Sequence, residues 1–238
     1  MEKTVLVTGG NRGIGYETCK KFANLKGYHV ILTSRNEEAG NEAIEKLKKE
    51  TQSTEITYFQ LDVTSDENVL KCKEFVVEKF GKLDILINNA GISFDWSLNF
   101  FEAEMENYLQ TFDVNLFGVI RMTKAFVPLM IEKGYGRVVN VSSMAGQTEF
   151  LSTTKGISSY PLSKYSLNGL VRIVSNSIPE KVDVQVNNMH PGWCKTRLGT
   201  TKAPREPEVG ARTILWLALQ DSNFKSGGFY MDNKEFDW

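Results

Sequence analysis

At 238 residues, 41% of them hydrophobic and 24% charged, the chain is long enough to bury a substantial core and has the composition of an ordinary globular protein. Its net charge of −1 gives no reason to expect nucleic acid or an anionic membrane as a partner. Cys19, Cys72 and Cys194 lack metal-ligand spacing and suit free thiols in a reducing compartment; with no signal-peptide core after Met1 and no apolar run long enough to span a bilayer, the cytoplasm is the expected location.

Residues 4–8 form the first expected strand, which delivers Thr8-Gly9-Gly10-Asn11-Arg12-Gly13-Ile14-Gly15 before a helical pattern opens at Tyr16 and Glu17. A second strand over 29–34 leads into an amphipathic stretch over 37–50 whose Ala43, Ile44 and Leu47 share one face. Strands follow at 55–60 and 85–88. Next comes a long helical stretch over 102–133, which Pro128 is expected to kink or tighten near its end. A strand at 138–142, a helix at 160–177, a strand at 184–188, a helix at 207–219 and a strand at 228–231 complete the series. Strands alternating with helices in this way mark a parallel sheet covered on both faces. No repeat, low-complexity tract or linker interrupts it, so the expectation is one doubly wound α/β domain over 1–238, with about seven parallel strands.

The glycine-rich turn between the first strand and the first helix carries a physical meaning. Glycine permits the tight turn and, lacking a Cβ, lets backbone N–H groups approach a diphosphate. The helix N-terminus then offers unpaired donors and partial positive charge to that anion.

The spacing Thr8-Gly9-x3-Gly13-x-Gly15 resembles the fingerprint of the short-chain dehydrogenase/reductase family, which has a Rossmann fold. Asn88-Asn89-Ala90-Gly91, Asn115, Ser142-Ser143, Tyr160-x3-Lys164 and Pro191-Gly192 with Thr196 match the same family in the same order. The resemblance covers nearly the whole chain. It implies a coenzyme held by Gly9, Asn11, Arg12, Gly13, Ile14 and Gly15, by Asp62 and Val63 at the adenine, and by Asn88, Ala90 and Gly91 along its length. Tyr160, Lys164, Pro191, Gly192 and Thr196 would complete that cradle. Asp62 can equally be read as a helix cap before Ser65 and Asp66.

Charge bears on the choice of coenzyme. An NAD-selective site usually ends its second strand with an acid; here that strand ends Thr33-Ser34-Arg35, and Arg12 sits in the glycine loop. Two guanidinium groups suit the 2′-phosphate of NADPH/NADP+, the alternative being a pair of ordinary surface arginines.

The chemistry follows from Tyr160 and Lys164. Four residues apart on a helix, they share a face, and an ammonium near a phenol is expected to lower its pKa from about 10. The resemblance makes Tyr160 the proton donor and Ser143 a donor to the substrate oxygen, with Ser142 as the lesser candidate. It makes Asn115 the helix asparagine that holds a water connected to Lys164. The interval between Ser143 and Tyr160 is a few residues longer than in many family members, so residues 147–159 should help shape the pocket.

Within the family the chain is similar to the carbonyl reductase branch, on Leu32–Arg35, Gly136–Ser143, Pro191-Gly192-Trp193 and the tail Phe236-Asp237-Trp238. That implies a small-molecule carbonyl substrate (a quinone, aromatic ketone or aldehyde) met by Ser143, Met144 and Trp193, although Trp193 can also be a packing residue. An insertion before the catalytic tyrosine that covers the oligomer face in several branch members is absent, so a homodimer or homotetramer through the long helices is expected. Cys194, beside Trp193, is the candidate accessible thiol; His29 and His190 read as structural, and no metal site is expected. The alternatives are a reductase for a dedicated metabolite and a non-catalytic NADP-sensing protein.

Overall fold

In the computed structural model, which describes residues 2–238, the first strand β1 (Lys3–Val7) is apolar on both faces. Val5 and Val7 enter one core cluster and Leu6 the other, all at 0% exposure, as a strand covered by helices on each side requires. The chain continues through α1 (Gly13–Ala23), β2 (Tyr28–Ser34), α2 (Glu37–Thr51), β3 (Ile56–Gln60), α3 (Asp66–Phe80) and β4 (Ile85–Asn88). Then come α4 (Met105–Phe112), α5 (Gly118–Lys133), β5 (Tyr135–Val141), α6 (Thr148–Thr153), α7 (Ser159–Asn176), β6 (Asp183–Met189), α8 (Pro207–Ala218), β7 (Phe229–Met231) and β8 (Lys234–Glu235).

The strands form one sheet in the order β3-β2-β1-β4-β5-β6-β7-β8. All neighbours are parallel except β7 and β8, so the sheet has eight strands where about seven parallel ones were expected. The extra strand comes from a tight hairpin. Asp232 and Asn233 both adopt positive φ (49° and 63°), the pairing that a two-residue turn of this hand needs and that Asp and Asn tolerate. Strand order reverses between β1 and β4, and a crevice opens beyond the carboxyl ends of strands at such a switch point.

Helix α3 starts at a serine cap: Ser65 Oγ accepts from the Asn68 N–H. Its buried Val69, Cys72 and Val76 join Leu6, Leu86, Met122, Phe126 and Val171 on one face of the sheet. Helices α1, α2 and α8 cover the other face through Phe22, Leu47 and Ile214.

The long helical stretch begins at Met105 and is interrupted at Asp113–Phe117, where the backbone takes a π-helical turn. Pro128 does not end it, since α5 runs on to Lys133. The 29-residue span Met105–Lys133 is, by length and composition alone, apolar enough to cross a bilayer, which corrects the expectation that no run is. Met122, Phe126 and Met130 on its inner side are fully buried against the sheet, and a core helix meets the same criterion.

Candidate active site

A cleft of about 730 Å³ lies beyond the carboxyl ends of the strands. At one end it is floored by the glycine loop, where Gly9 and Gly13 take positive φ (63° and 56°), a conformation that side chains other than glycine rarely adopt. Thr8 and Asn89 fix this loop to β4. Thr8 Oγ accepts from the N–H groups of Asn89 and Ala90, both at 3.0 Å, and Asn89 Nδ2 donates to the carbonyls of Thr8 and Gly9. A Cβ on Gly15 would lie 2.3 Å from the Gly9 carbonyl oxygen, so glycine is what lets α1 begin against the loop.

Of the expected coenzyme contacts, Gly9, Asn11, Arg12, Gly13, Ile14, Arg35, Asp62, Val63, Ala90, Gly91, Tyr160, Lys164, Pro191, Gly192 and Thr196 line this cleft. Asp62 is not the helix cap, a role Ser65 takes. Its Oδ1 accepts from the N–H and hydroxyl of Thr64, leaving the residue at the cleft wall. Two of the expected residues lie outside it. Asn88 does not line the cleft, because its side chain points into the core and donates to Asn140 Oδ1 at 2.9 Å; the neighbouring Asn89 lines the cleft instead. Gly15 packs the helix start and does not face the cleft.

The other end is built on α7. Tyr160 and Lys164 lie one turn apart, with Lys164 Nζ 5.7 Å from the Tyr160 ring centre. Lys164 is buried and donates to the Val141 carbonyl at 2.7 Å; burial draws its ammonium down to about 8. The Tyr160 phenol shifts the other way from expectation. Burial pushes its pKa up, and the Ser143 hydroxyl beside it pulls back only in part. Desolvation therefore favours the neutral phenol, the form a proton donor needs. Ser143 also receives the Ala145 N–H at 3.1 Å, which fixes it at the head of the Met144–Gly146 turn.

Asn115 sits within the π turn, where the extra residue aims its side chain out of the helix. Its amide brackets Ile92, accepting from the Ile92 N–H and donating to the Ile92 carbonyl, and also donates to Ser163 Oγ. It does not bond Lys164. A Cβ on Gly91 would meet Asn115 Oδ1 at 3.4 Å and Lys164 Nζ at 3.7 Å, so the two groups flank one open glycine.

Parallel register builds the support beneath these groups. Asn88, Asn140 and Asn188 are aligned partners on β4, β5 and β6, so their side chains stack on one face. Asn88 donates to Asn140 and Asn140 to Asn188, each at 2.9 Å. Asn188 donates to Asn168 Oδ1 on α7, which also accepts from Ser142 Oγ at 2.7 Å, while Asn168 Nδ2 donates to the Gly146 carbonyl. Ser142 is thus the anchor and Ser143 the group free to face the cleft. The start of α7 is tied as well: buried Asp95 accepts from the Ser158 and Ser159 N–H groups, which hold its carboxyl below the usual carboxylate range.

Sequence reasoning missed Phe94, Trp96, Phe150, Leu198 and Arg197 at the cleft wall. The Trp96 ring centre lies 6.1 Å from that of Tyr160, and Phe150 and Leu198 pack beside Tyr160. Nothing in local spacing marks the aromatics, which the loop after β4 and helix α6 bring together; Arg197 follows Thr196 directly and was within reach. Met144 and Trp193 line the cleft as expected, and the Trp193 N–H donates to the Gly199 carbonyl, so its ring is both packed and presented. Cys194 is not accessible: it is 3% exposed, its thiol faces the Pro191 carbonyl, and burial raises its pKa. His190 is buried with its pKa drawn down to about 4 by desolvation. Glu2, His29 and Glu55 gather on the surface at the opposite, amino-terminal end of the sheet.

Residues 3–207 match the family described as short chain dehydrogenase. The chain is 32% identical to carbonyl reductase (NADPH) 1 of Mus musculus over 98% of this chain and 97% of that protein. It is 33% identical to (+)-neomenthol dehydrogenase of Arabidopsis thaliana, over 97% and 96%. Among solved structures, ElxO with NADP bound superposes with a TM-score of 0.86 at 29% identity, covering 96% of each chain.

The lowered pKa of Lys164 has a measurable sign. Its folded value of about 8 lies below the ordinary 10.5, so the unfolded chain binds more protons between those limits and stability rises with pH across them. In urea unfolding, wild type should gain stability relative to Lys164→Met as pH increases from about 8 to about 10.5. A constant difference at every pH would show that Lys164 is not a buried cation.

Proposed function

The chain belongs to the short chain dehydrogenase family, a family of oxidoreductases, and from that membership we propose that it reduces apolar carbonyl compounds with NADPH, Tyr160 supplying the proton. The observation that carries this reading is the buried Tyr160 phenol beside the Ser143 hydroxyl, in a cleft walled by Phe94, Trp96, Met144, Phe150, Trp193 and Leu198. Such a wall favours a flat, uncharged substrate over a sugar or a carboxylate.

The residues fit the coenzyme. Positive-φ glycines leave the loop floor without side chains, α1 aims its N-terminus at the cleft, and Arg12 and Arg35 line it with no carboxylate partner among the described residues. The NADP-bound neighbour and the NADPH-named relative support the same choice. Bound there, NADPH supplies the hydride. Ser143 Oγ and the Tyr160 hydroxyl are the donors toward a substrate oxygen, and as that oxygen gains charge the phenol releases its proton to it. Lys164, charged below pH of about 8, then steadies the phenolate through the field of its ammonium. Asn115 and Asp95 hold the loop after β4 and the start of α7, which keeps the apolar wall against Tyr160.

With menadione or an aromatic ketone, the purified protein should consume NADPH, read as falling absorbance, while sugars and hydroxy acids should leave it unchanged. Consumption with a polar metabolite alone would move the assignment to a dedicated reductase; binding of NADPH with no turnover on any carbonyl would leave a sensing protein.

Helices α4 and α7 pack together and expose Met105, Leu109, Tyr165 and Ile173, the last at 68%. This strip supports self-association into a dimer or tetramer. Light scattering at micromolar concentration should give a mass at least twice the monomer's 26.9 kDa, and a monomer mass would refute it.

A further inference from the structure

The segment between Pro191 and α8 is a hairpin-shaped loop whose ends are closed by parallel, not antiparallel, pairing. Its base is a bridge between Cys194 and Arg205, where the Lys195 N–H donates to the Arg205 carbonyl and the Arg205 N–H to that of Trp193. Arg205 is itself paired with Asp232 at the β7–β8 turn, and Lys195 with Glu206. Inside the hairpin, the Gly199 N–H donates to Thr196 Oγ and the Trp193 indole to the Gly199 carbonyl. A Cβ on Gly199 would lie 2.0 Å from the Cys194 carbonyl oxygen, so the fold of this loop is tight. It is a preformed element whose tip presents Trp193, Thr196, Arg197 and Leu198 to the cleft.

The tip reaches the glycine loop. Thr196 Cγ2 stands 3.1 Å from where a Cβ on Gly13 would be, so Thr196 lies across the loop floor at the point where α1 begins. Arg197 is the next residue and lines the same cleft. Arg12, Arg35 and Arg197 carry no salt bridge or side-chain hydrogen bond among the described residues, whereas Arg121, Arg137 and Arg205 each have a carboxylate. Their charges repel: the Arg12 guanidinium is held below its ordinary pKa first by desolvation, then by Arg197, and then by Arg35. Arg197 thus joins Arg12 and Arg35 at the cleft from the hairpin side. A convergence of like charges with no acid between them is an arrangement that an anion relieves.

We propose that Arg197, carried on the hairpin tip over the glycine loop, binds the diphosphate of the coenzyme and latches the hairpin across it, leaving the 2′-phosphate to Arg35. The division follows from position. Arg35 closes the second strand, where the adenosine ribose lies in this fold, whereas Arg197 stands beside Thr196, above the loop and helix end that receive the diphosphate. Arg12, between them, serves both. The proposal rests on the NADPH reading above and adds that coenzyme affinity has a component indifferent to the 2′-phosphate, supplied by the hairpin.

Equilibrium binding of NADPH and NADH, followed by coenzyme fluorescence at two salt concentrations, separates the roles. Arg197→Gln should weaken both coenzymes by the same factor, about tenfold for one charge-assisted contact, and should flatten the salt dependence of each. Arg35→Gln should weaken NADPH and leave NADH nearly unchanged. Unaltered affinity for both in Arg197→Gln would overturn the proposal, and so would a loss confined to NADPH, which would place Arg197 at the 2′-phosphate. A wild type that binds neither coenzyme refutes the NADPH reading itself and the latch with it, a result distinct from either of those.

Discussion

The reacting end of this protein depends on how α7 is held against the carboxyl ends of β5 and β6. Tyr160 and Lys164 are useful only if Ser143, on a different element, stays beside them. The tie is a buried run of amides. Asn88, Asn140 and Asn188 stack because parallel strands in register point aligned residues the same way, and Asn168 carries the run to Ser142 and to the Gly146 carbonyl. Every one of those side chains is at 3% exposure or less. Unpaired, such groups would each cost about 1–3 kcal/mol in the core; apart from Asn88 Oδ1, which has no partner among the described residues, their pairing fixes one arrangement of strand ends against helix.

The same burial sets the electrostatics. With Lys164 donating to the Val141 carbonyl and no carboxylate partner among the described residues, desolvation works against its charge and also against ionisation of Tyr160. A neutral phenol and a strained cation sit side by side. At the other end the imbalance has the same character. Arg12 and Arg35 face a floor of glycines with no acid to answer them.

Much of this was legible in the sequence. Strand and helix alternation, the glycine turn and the Tyr160-x3-Lys164 spacing are local patterns, and local patterns survive into the fold. What escaped was set by tertiary contact. Asn88 and Asn89 are adjacent and chemically identical, and only the strand's face decides that Asn88 enters the amide stack while Asn89 grips the glycine loop. The direction of the Tyr160 shift depends on burial, which spacing does not encode, so the helical neighbour was given too much weight. Cys194 follows Trp193 beside the expected pocket, which suggests an accessible thiol, yet the hairpin's base encloses it. The eighth strand did have a signal, the Asp232-Asn233 turn, but a two-residue strand is too short to show periodicity.

The central claim is that the Tyr160 phenol donates the proton, and Tyr160→Phe tests it most directly. The change removes one oxygen and keeps the ring that packs beside Trp96, Phe150 and Leu198. The variant should fold and bind NADPH with wild-type affinity, while kcat for an aromatic ketone falls by about 10²–10⁴-fold, the scale of general acid catalysis. A folded variant that binds NADPH and still reduces the ketone at the wild-type rate would contradict the account.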